Sequence, residues 1–356
     1  IMKKIAIIFG TRPEIIKLYH VIKSLKHHFK VITIFTGQHT DLGRQMLKMF
    51  KIKPDYDLDV MIADQSLSLL TATLHEELDK VLTKEEPDLV VVQGDTTSAL
   101  VGAIEAFYHK IPVAHVEAGL RTNDIYSPFP EEINRRLISQ IATYNFPPTK
   151  SAEERLKEEV PGSYILTTGN TGIDTLLEFA NKTKESKRWM VLVTLHRRES
   201  FGHTLKGMLH ALYDFIQEFP KFEIVFPVHP NPQVYKTVHD ILGNHPRIHL
   251  IKPVNYLEMV KLMKQCHFII TDSGGIQEEA PSLHKPVLVL REVTERMEGI
   301  EAGVSRLVGT NSHDIYHSAY ELASNSLSYS LMQGKNPYGD GKASQRIAEY
   351  LQGALS

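Results

Sequence analysis

Short runs of β-branched and other apolar residues recur along the chain, and longer amphipathic stretches separate them. Most of these runs are continuously apolar rather than alternating, which is typical of parallel strands buried on both faces. Amphipathic stretches such as 66–86 and 204–219 have the spacing of helices. We therefore predict an α/β fold of doubly wound parallel sheets. The predicted strands are 5–10, 31–37, 88–95, 112–119, 163–169, 190–196, 223–229, 267–272 and 286–291.

The length of the chain, 356 residues, is large for one average domain and sufficient for two. A polar stretch at 179–188 separates two sets of predicted strand–helix units. We expect a Rossmann-like N-terminal domain over 1–170 and a second Rossmann-like domain over 171–342. A turn-rich segment then precedes a final amphipathic helix, which is predicted over 343–355.

Composition argues against several classes of protein. The formal net charge is −2, so there is no overall positive field to attract nucleic acid or an anionic membrane. Cys266 is the single cysteine, which excludes an intrachain disulfide and a multi-cysteine metal site. No apolar stretch approaches the roughly 20 residues of a membrane span. The first residues enter strand-like sequence directly, without the pattern of a signal peptide. We expect a cytoplasmic protein without nucleic-acid or membrane partners.

Polar residues cluster where the predicted strands end. In open parallel sheets, ligands bind beyond the carboxyl ends of the strands. Two domains facing each other would bring these ends together across a cleft, where we expect the functional site. The polar strand ends are 10–17, 94–96, 115–119, 196–199, 229–231 and 271–280.

The segment from Gly10 to Lys17 begins a predicted helix. Thr11 suits the N-cap and Pro13 suits the first turn. Arg12 and Lys17 could then flank a phosphate near the positive end of the helix. The alternative is a capped helix whose charges are simply solvated.

Three acids lie at strand or helix ends of the first domain. Asp95 and Glu117 end apolar strands, and Glu131 follows a proline-rich stretch at a predicted helix start. Each could be an ordinary cap or dipole partner. Together in a shared site they could acquire separate pKa values and serve as proton donor and acceptor. His115 and Glu117 could also suggest metal ligands, but nothing nearby completes a zinc motif, so we expect no metal.

The stretch from Thr271 to Ala280 places paired glycines at a strand-to-helix turn. Gly274 and Gly275 let backbone amides approach a phosphate closely, and the helix start supplies positive potential. Glu279 lies one turn along the same face, where its carboxylate could accept the hydroxyls of a ribose. The alternative is a tight turn followed by acids that compensate the dipole. His196 could equally belong to a charged loop, and His229 to a rigid strand exit.

These segments occur in an order that closely resembles the non-hydrolysing UDP-N-acetylglucosamine 2-epimerases, and the resemblance runs from residue 3 to the last helix. The segments are Gly-Thr-Arg-Pro-Glu (10–14), Gly-Asp-Thr-Thr (94–97), His-Val-Glu-Ala-Gly-Leu-Arg-Thr (115–122), Tyr-Ser-Pro-Phe-Pro-Glu-Glu (126–132), Thr-Gly-Asn-Thr (168–171), His-Arg-Arg-Glu-Ser (196–200), Pro-Val-His (227–229), 271–283 and Asn-Pro-Tyr-Gly-Asp-Gly (336–341).

The resemblance implies a GT-B architecture, with the substrate in a cleft and the helix at 343–355 crossing back to the first domain. It also implies interconversion of UDP-GlcNAc and UDP-ManNAc, for surface polysaccharide, without a cofactor. UDP is eliminated to give 2-acetamidoglucal and is then added back with the opposite configuration at carbon 2. A homodimer is expected, with a UDP-sugar as the partner molecule.

The same resemblance assigns roles to individual residues. The catalytic group would comprise Asp95, Glu117, Glu131 and His196, without a decision as to which acid is the base. Glu279 would hold the ribose. The remaining substrate contacts would be Arg12, Lys17, Arg135, His229, Ser273, Gly274, Gly275 and Arg296.

A regulatory site beside the active site is also part of the family pattern. Gln38 and Arg197 match residues that contact a second, activating UDP-GlcNAc. Asp41 and Asp64, however, stand where an amide and an arginine are expected. Added carboxylates repel a diphosphate, so we expect activation to be weak or absent.

Four alternative functions are considered beside the epimerisation of UDP-GlcNAc. The chain could epimerise a different UDP-2-acetamido sugar, or it could be a GT-B glycosyltransferase. A glycosyltransferase would share the ribose-binding glutamate but not Glu117 and Glu131. A silent nucleotide-sugar sensor would have lost the acids, and a hydrolysing epimerase would release free ManNAc and UDP.

Overall fold

The computed structural model describes residues 2–122, 124–184, 188–197 and 202–356. They form two compact units. The first unit comprises Ile1–Thr175 and Gly339–Ser356, and the second comprises Leu176–Tyr338. The first division falls inside a helix, Thr171–Asn181, which also contains the start of the predicted linker at 179–188. Residues 185–187 of that predicted linker lie outside the described residues.

The first unit alternates strands with helices. Its strands are β1 (Lys4–Phe9), β2 (Lys30–Phe35), β3 (Tyr56–Asp57), β4 (Leu89–Gln93), β5 (Val113–Val116), β6 (Tyr144–Phe146) and β7 (Tyr164–Ile165). Its helices are α1 (Arg12–Leu25), α2 (Thr40–Met49), α3 (Leu67–Glu85), α4 (Thr97–Tyr108), α5 (Glu131–Ile141), α6 (Lys150–Glu159) and the first part of α7 (Thr171–Asn181).

The seven strands of the first unit form one parallel sheet in the order β3-β2-β1-β4-β5-β6-β7. The chain winds outward from β1 to β3 and then returns to place β4 on the other side of β1. The reversal between β1 and β4 is a topological switch point, and the loops that follow these two strands diverge there to leave a crevice. The residues from Ile5 to Phe9 are fully buried, as expected for a strand covered by helices on both faces.

The second unit repeats this plan. Its strands are β8 (Met190–Thr194), β9 (Glu223–Pro227), β10 (Ile248–Ile251), β11 (Phe268–Thr271), β12 (Val287–Val289) and β13 (Ser305–Leu307), all parallel, in the order β10-β9-β8-β11-β12-β13. Its helices after α7 are α8 (His203–Glu218), α9 (Pro232–Leu242), α10 (Tyr256–Gln265), α11 (Gly274–Glu279), α12 (Met297–Glu301), α13 (Ser312–Ser324) and α14 (Ser326–Leu331).

The predicted fold class, α/β with two doubly wound parallel sheets, is confirmed. The short strands β3, β6, β10 and β13 were not predicted, and β7 is much shorter than the predicted strand at 163–169. β6 shows why, because its three residues centre on a polar one, Asn145. That side chain is buried and donates to the Ser163 hydroxyl at 3.1 Å. Such a strand contains no continuous apolar run for periodicity to detect.

The last helix, α15 (Ala343–Ala354), belongs to the first unit and packs on α1. Asp174 accepts hydrogen bonds from the backbone amides of Ala343 and Ser344, at 3.2 and 2.7 Å. These are orphan donors of the first turn, so a side chain distant in sequence caps this helix. No helix among the described residues is both long enough and apolar enough to cross a lipid bilayer.

Candidate active site

A cavity of about 420 Å³ opens at the switch point of the first unit. The loops after β1, β2, β4 and β5 and the start of α5 form its wall. All three acids singled out from the sequence, Asp95, Glu117 and Glu131, line it together with Lys17 and Gln38. Leu67, at the start of α3, also lines it, so the fold gathers residues from six separate segments around one space.

Glu117 follows β5 with φ at +65°, in the left-handed region that a residue with a Cβ adopts only at some energetic cost. Its carboxylate pairs with the Lys17 ammonium of α1. The same oxygen accepts a hydrogen bond from Gln93 Nε2 at 2.6 Å, and its side chain is only 10% exposed. Two donors thus hold this carboxylate at a fixed position on the cavity wall.

Asp95 lies in the loop between β4 and α4, where its carboxylate pairs with Arg135 of α5. Asn134 of the same helix donates to the Asp95 backbone carbonyl at 2.9 Å. Arg135 is held from the other side by Glu132, whose side chain is fully buried and lies 3.4 Å from it. Arg135 therefore orients Asp95 rather than lining the cavity itself.

Glu132 was not singled out as a site residue from the sequence, yet it organises this part of the wall. Its carboxylate also accepts from the Thr122 amide at 3.0 Å and from Arg136 at 2.7 Å. It ties the loop after β5 to α5. Glu131, its neighbour, is the first residue of α5 and lines the cavity at the positive end of that helix.

Glu14 is a second acid that the sequence analysis did not select. It is buried in the first turn of α1 and accepts hydrogen bonds from the Gly10 and Thr11 amides, at 3.0 and 2.8 Å, and from Thr96 at 2.9 Å. Burial raises the pKa of Glu14 to about 7, although these hydrogen bonds oppose the shift. A fourth carboxyl group thus lines the cavity.

Glu14 makes the stability of the protein depend on pH. Because its folded pKa is raised, its contribution is fully present below pH about 4.5 and is lost as pH rises through about 7. We expect Glu14→Gln to remove this loss, which amounts to about 3 kcal/mol for a shift of this size. Urea unfolding at pH 5 and pH 8 measures the difference. Glu154→Gln, an exposed change in α6, should keep the wild-type slope, and an E14Q slope equal to wild type would contradict the assignment.

His115 is fully buried on β5, and its Nε2 donates to the Gly94 carbonyl at 2.7 Å. Burial lowers its pKa to about 4, so the ring is neutral at physiological pH. This hydrogen bond fixes the loop that carries Asp95. Two other predicted residues lie nearby: Arg12 is exposed at the first position of α1, and Gln38 accepts from the Ser98 amide at 3.1 Å.

In the second unit, His196 and Arg197 follow β8, at that sheet's own switch point beside β11. Their backbone amides donate to the carboxylate of Asp272, at 2.8 and 2.9 Å. His196 Nδ1 lies 2.8 Å from the other oxygen of Asp272, which is fully buried. Asp272 is thus a further acid missed in the sequence. The segment 198–200 of the same motif lies outside the described residues.

His229, two residues after β9, stacks on His196 with ring centroids 6.2 Å apart and 25° between the planes. Nδ1 of His229 accepts from the Asn231 amide at 3.2 Å, which leaves Nε2 for another partner to contact. The histidine pair forms part of the surface beyond the carboxyl ends of β8 and β9.

The start of α11 carries the predicted phosphate-binding glycines, with Ser273 as the N-cap. The Arg296 guanidinium lies directly above Gly274, and a Cβ there would come within 2.8 Å of its central carbon. A side chain at this position would therefore displace the guanidinium from the helix start. Arg296 donates to Glu278 at 3.0 Å, which holds a positive charge beside the helix start. The Ser273 amide already donates to the Thr271 hydroxyl at 2.9 Å.

Glu279 ends α11, and its carboxylate accepts from the Tyr256 hydroxyl at 3.0 Å. The two adjacent glutamates therefore have different partners. Glu278 balances the charge of Arg296, whereas Glu279 meets a neutral donor.

Comparison with known proteins places the chain in a family. A family model described as UDP-N-acetylglucosamine 2-epimerase matches residues 23–352. The UDP-N-acetylglucosamine 2-epimerase of Bacillus subtilis (strain 168) is 44% identical over 366 residues, covering 98% of this chain and 96% of the relative. The enzyme of the same name from Escherichia coli (strain K12) is 44% identical over 369 residues, covering 98% of each.

Solved structures agree. The crystal structure of a putative UDP-N-acetylglucosamine 2-epimerase from Listeria monocytogenes has a TM-score of 0.93 at 40% identity, covering 99% of this chain and 96% of that one. The Neisseria meningitidis UDP-GlcNAc 2-epimerase bound to UDP-GlcNAc has a TM-score of 0.88 at 42% identity, covering 98% and 99%. With the predicted GT-B fold class thereby confirmed, the chain belongs to the UDP-N-acetylglucosamine 2-epimerase family of isomerases.

Proposed function

We propose that the chain is a non-hydrolysing epimerase that interconverts UDP-GlcNAc and UDP-ManNAc. The observation that carries the proposal is the convergence of Asp95, Glu117 and Glu131 on one cavity with the Lys17 ammonium on its wall. Inversion at carbon 2 requires proton transfer on both faces of the sugar. Several carboxyl groups around one space can supply a proton acceptor and a proton donor.

The chemistry proceeds in two steps. A carboxylate removes the proton at carbon 2 while the bond from carbon 1 to the UDP oxygen breaks, giving 2-acetamidoglucal and UDP. A carboxyl group then protonates carbon 2 on the opposite face, and the UDP oxygen attacks carbon 1. Atoms and electrons balance without an external oxidant or reductant. Glu117 is a suitable proton acceptor because Lys17 and Gln93 hold its carboxylate in a fixed orientation on the cavity wall.

We propose that the second unit binds the UDP moiety. Charge develops on the leaving diphosphate, so fixed cationic and amide donors lower the barrier. His196, Arg296 and the amides of Ser273, Gly274 and Gly275 would supply these donors, and Glu279 would hold the ribose. His229 lies beside His196. In this proposal Arg12 contacts the leaving diphosphate, and Arg135 orients Asp95.

We also propose that Gln38 and Arg197 contact an effector. We infer a homodimer in the cytoplasm that supplies ManNAc-type sugars for surface polysaccharide. Solved complexes of relatives with UDP-GlcNAc or UDP support a UDP-sugar substrate.

Proton NMR of UDP-GlcNAc incubated with the enzyme in heavy water tests the proposal. We expect loss of the carbon-2 proton signal and growth of UDP-ManNAc, because the abstracted proton is replaced from solvent. Release of free ManNAc would instead indicate a hydrolysing enzyme. Absence of both exchange and epimerisation would contradict the proposal and favour a glycosyltransferase, and faster turnover of another UDP-2-acetamido sugar would reassign the substrate.

A further inference from the structure

Four side chains with metal-binding chemistry meet between α3 and α4, away from the cavity. His75 and Asp79 lie one turn apart on α3, and Glu105 and His109 lie one turn apart at the end of α4. Residues four apart share a helix face. Because α3 packs on α4, the two pairs face each other.

The donor atoms are close enough to share one ion. The ligating atoms of Asp79, Glu105 and His109 all lie within 4.8 Å of one another. His109 Nε2 is 2.8 Å from Asp79 Oδ1, and His75 Nδ1 contacts Glu105 Oε1. An ion about 2.0–2.2 Å from each donor needs donors roughly 3–4 Å apart, so small side-chain rotations suffice.

The charges in this cluster favour a cation. Glu105 is only 5% exposed, and a buried carboxylate is costly without a compensating charge. Among the residues that the structure describes, no lysine or arginine forms an ion pair with Asp79 or Glu105. Their recorded ionic partners are the two histidines. A metal ion binds histidine as the neutral imidazole, so Asp79 and Glu105 would supply two negative charges, which one divalent ion would balance.

We propose that Asp79, Glu105 and His109 bind one divalent first-row transition metal ion, with Zn²⁺ as the best match. The imidazole nitrogen selects against Mg²⁺ and Ca²⁺, which prefer oxygen ligands. His75 contacts the Glu105 carboxylate from the other side and orients it toward the ion, as outer partners of metal ligands commonly do. Asp79 is 59% exposed, so water can complete the coordination.

The ion links α3 to α4 and has no part in epimerisation. The acid-lined cavity adjoins the first residues of α4, whereas Glu105 and His109 lie at its other end. At about 1.5 Å per residue, Glu105 and His109 lie roughly 12 and 18 Å along the helix from Thr97. The ion therefore stabilises the packing of two helices, and the two proposals fail independently.

Titration of the chelator-treated full-length protein with zinc chloride, followed by calorimetry, tests the site. We expect one ion per chain, unaffected by a large excess of Mg²⁺. His109→Gln and Asp79→Asn should each weaken binding by at least tenfold. His313→Gln, in which an exposed histidine 3.5 Å from Asp314 is changed, is the matched control and should bind as wild type does.

Two further readouts separate this site from general binding to surface histidines. Zinc at about 100-fold excess over its Kd should raise the unfolding temperature by roughly 5 °C in wild type and in H313Q, but not in H109Q. Co²⁺ should give visible d–d bands that H109Q loses. Binding that is equal in wild type, D79N and H109Q would overturn the proposal, as would binding by wild type of less than one ion. Epimerase activity should survive the chelator treatment.

Discussion

Glu117→Gln is expected to lower kcat for UDP-GlcNAc epimerisation by about 10³-fold, within the range that a positioned acid or base contributes. The amide keeps the shape of the side chain but cannot accept the carbon-2 proton. Substrate contacts elsewhere are unchanged, so KM should move by less than about threefold. Steady-state kinetics in both directions, together with deuterium incorporation at carbon 2, measure the effect.

Two controls make this result specific. Glu154→Gln changes an exposed glutamate of the same unit, outside the cavity, and should retain wild-type kcat. The second control is thermal unfolding of E117Q, which must show a folded protein because this variant loses the ionic partner of Lys17. A folded E117Q enzyme with wild-type kcat would eliminate Glu117 as a proton-transferring residue.

Gly119→Ala is expected to destabilise the first unit by roughly 2–5 kcal/mol. Gly119 has φ at +84°, where an alanine costs about 1–2 kcal/mol. Its new Cβ would also lie 2.5 Å from the Ala152 carbonyl oxygen and 2.9 Å from the Leu156 side chain. Relief requires α6 to move away from the loop after β5, and overpacking of this kind costs about 1–3 kcal/mol more.

Urea unfolding of the purified variants measures this effect. Gly162→Ala is the matched control, because Gly162 is exposed, has no positive φ, and has open space where a Cβ would be. We expect G162A to stay within about 0.5 kcal/mol of wild type. If G119A were equally stable, the tight packing of α6 against this loop would be wrong.

Long buried strands were predictable because their apolar runs are continuous. β4, β8 and β11 lie within predicted strands, and β1 begins one residue before its predicted strand; these four form the centres of the two sheets. Edge and near-edge strands such as β3 and β7 have two residues each. At that length, pairing with a neighbouring strand determines the conformation, so β3 was not predicted and the predicted strand at 163–169 is much longer than β7.

The acids at strand ends were recognisable as site residues, whereas the acids that support them were not. Glu14, Glu132 and Asp272 are buried, and each accepts hydrogen bonds from two or more groups. In the sequence, Glu14 and Glu132 look like first-turn acids that complement a helix dipole. Their second role depends on which loop packs over them, and this is a property of the tertiary structure.

The sequence by itself determined the alternation of strands and helices and the polar character of the strand ends, because both follow from local periodicity and backbone chemistry. Only the tertiary structure decided which of those ends meet. Lys17 pairs with Glu117 across 100 residues of sequence because the strand order brings α1 and β5 to one cavity. The cluster at Asp79, Glu105 and His109 arises in the same way, because α3 packs on α4 and brings side chains from both helices together.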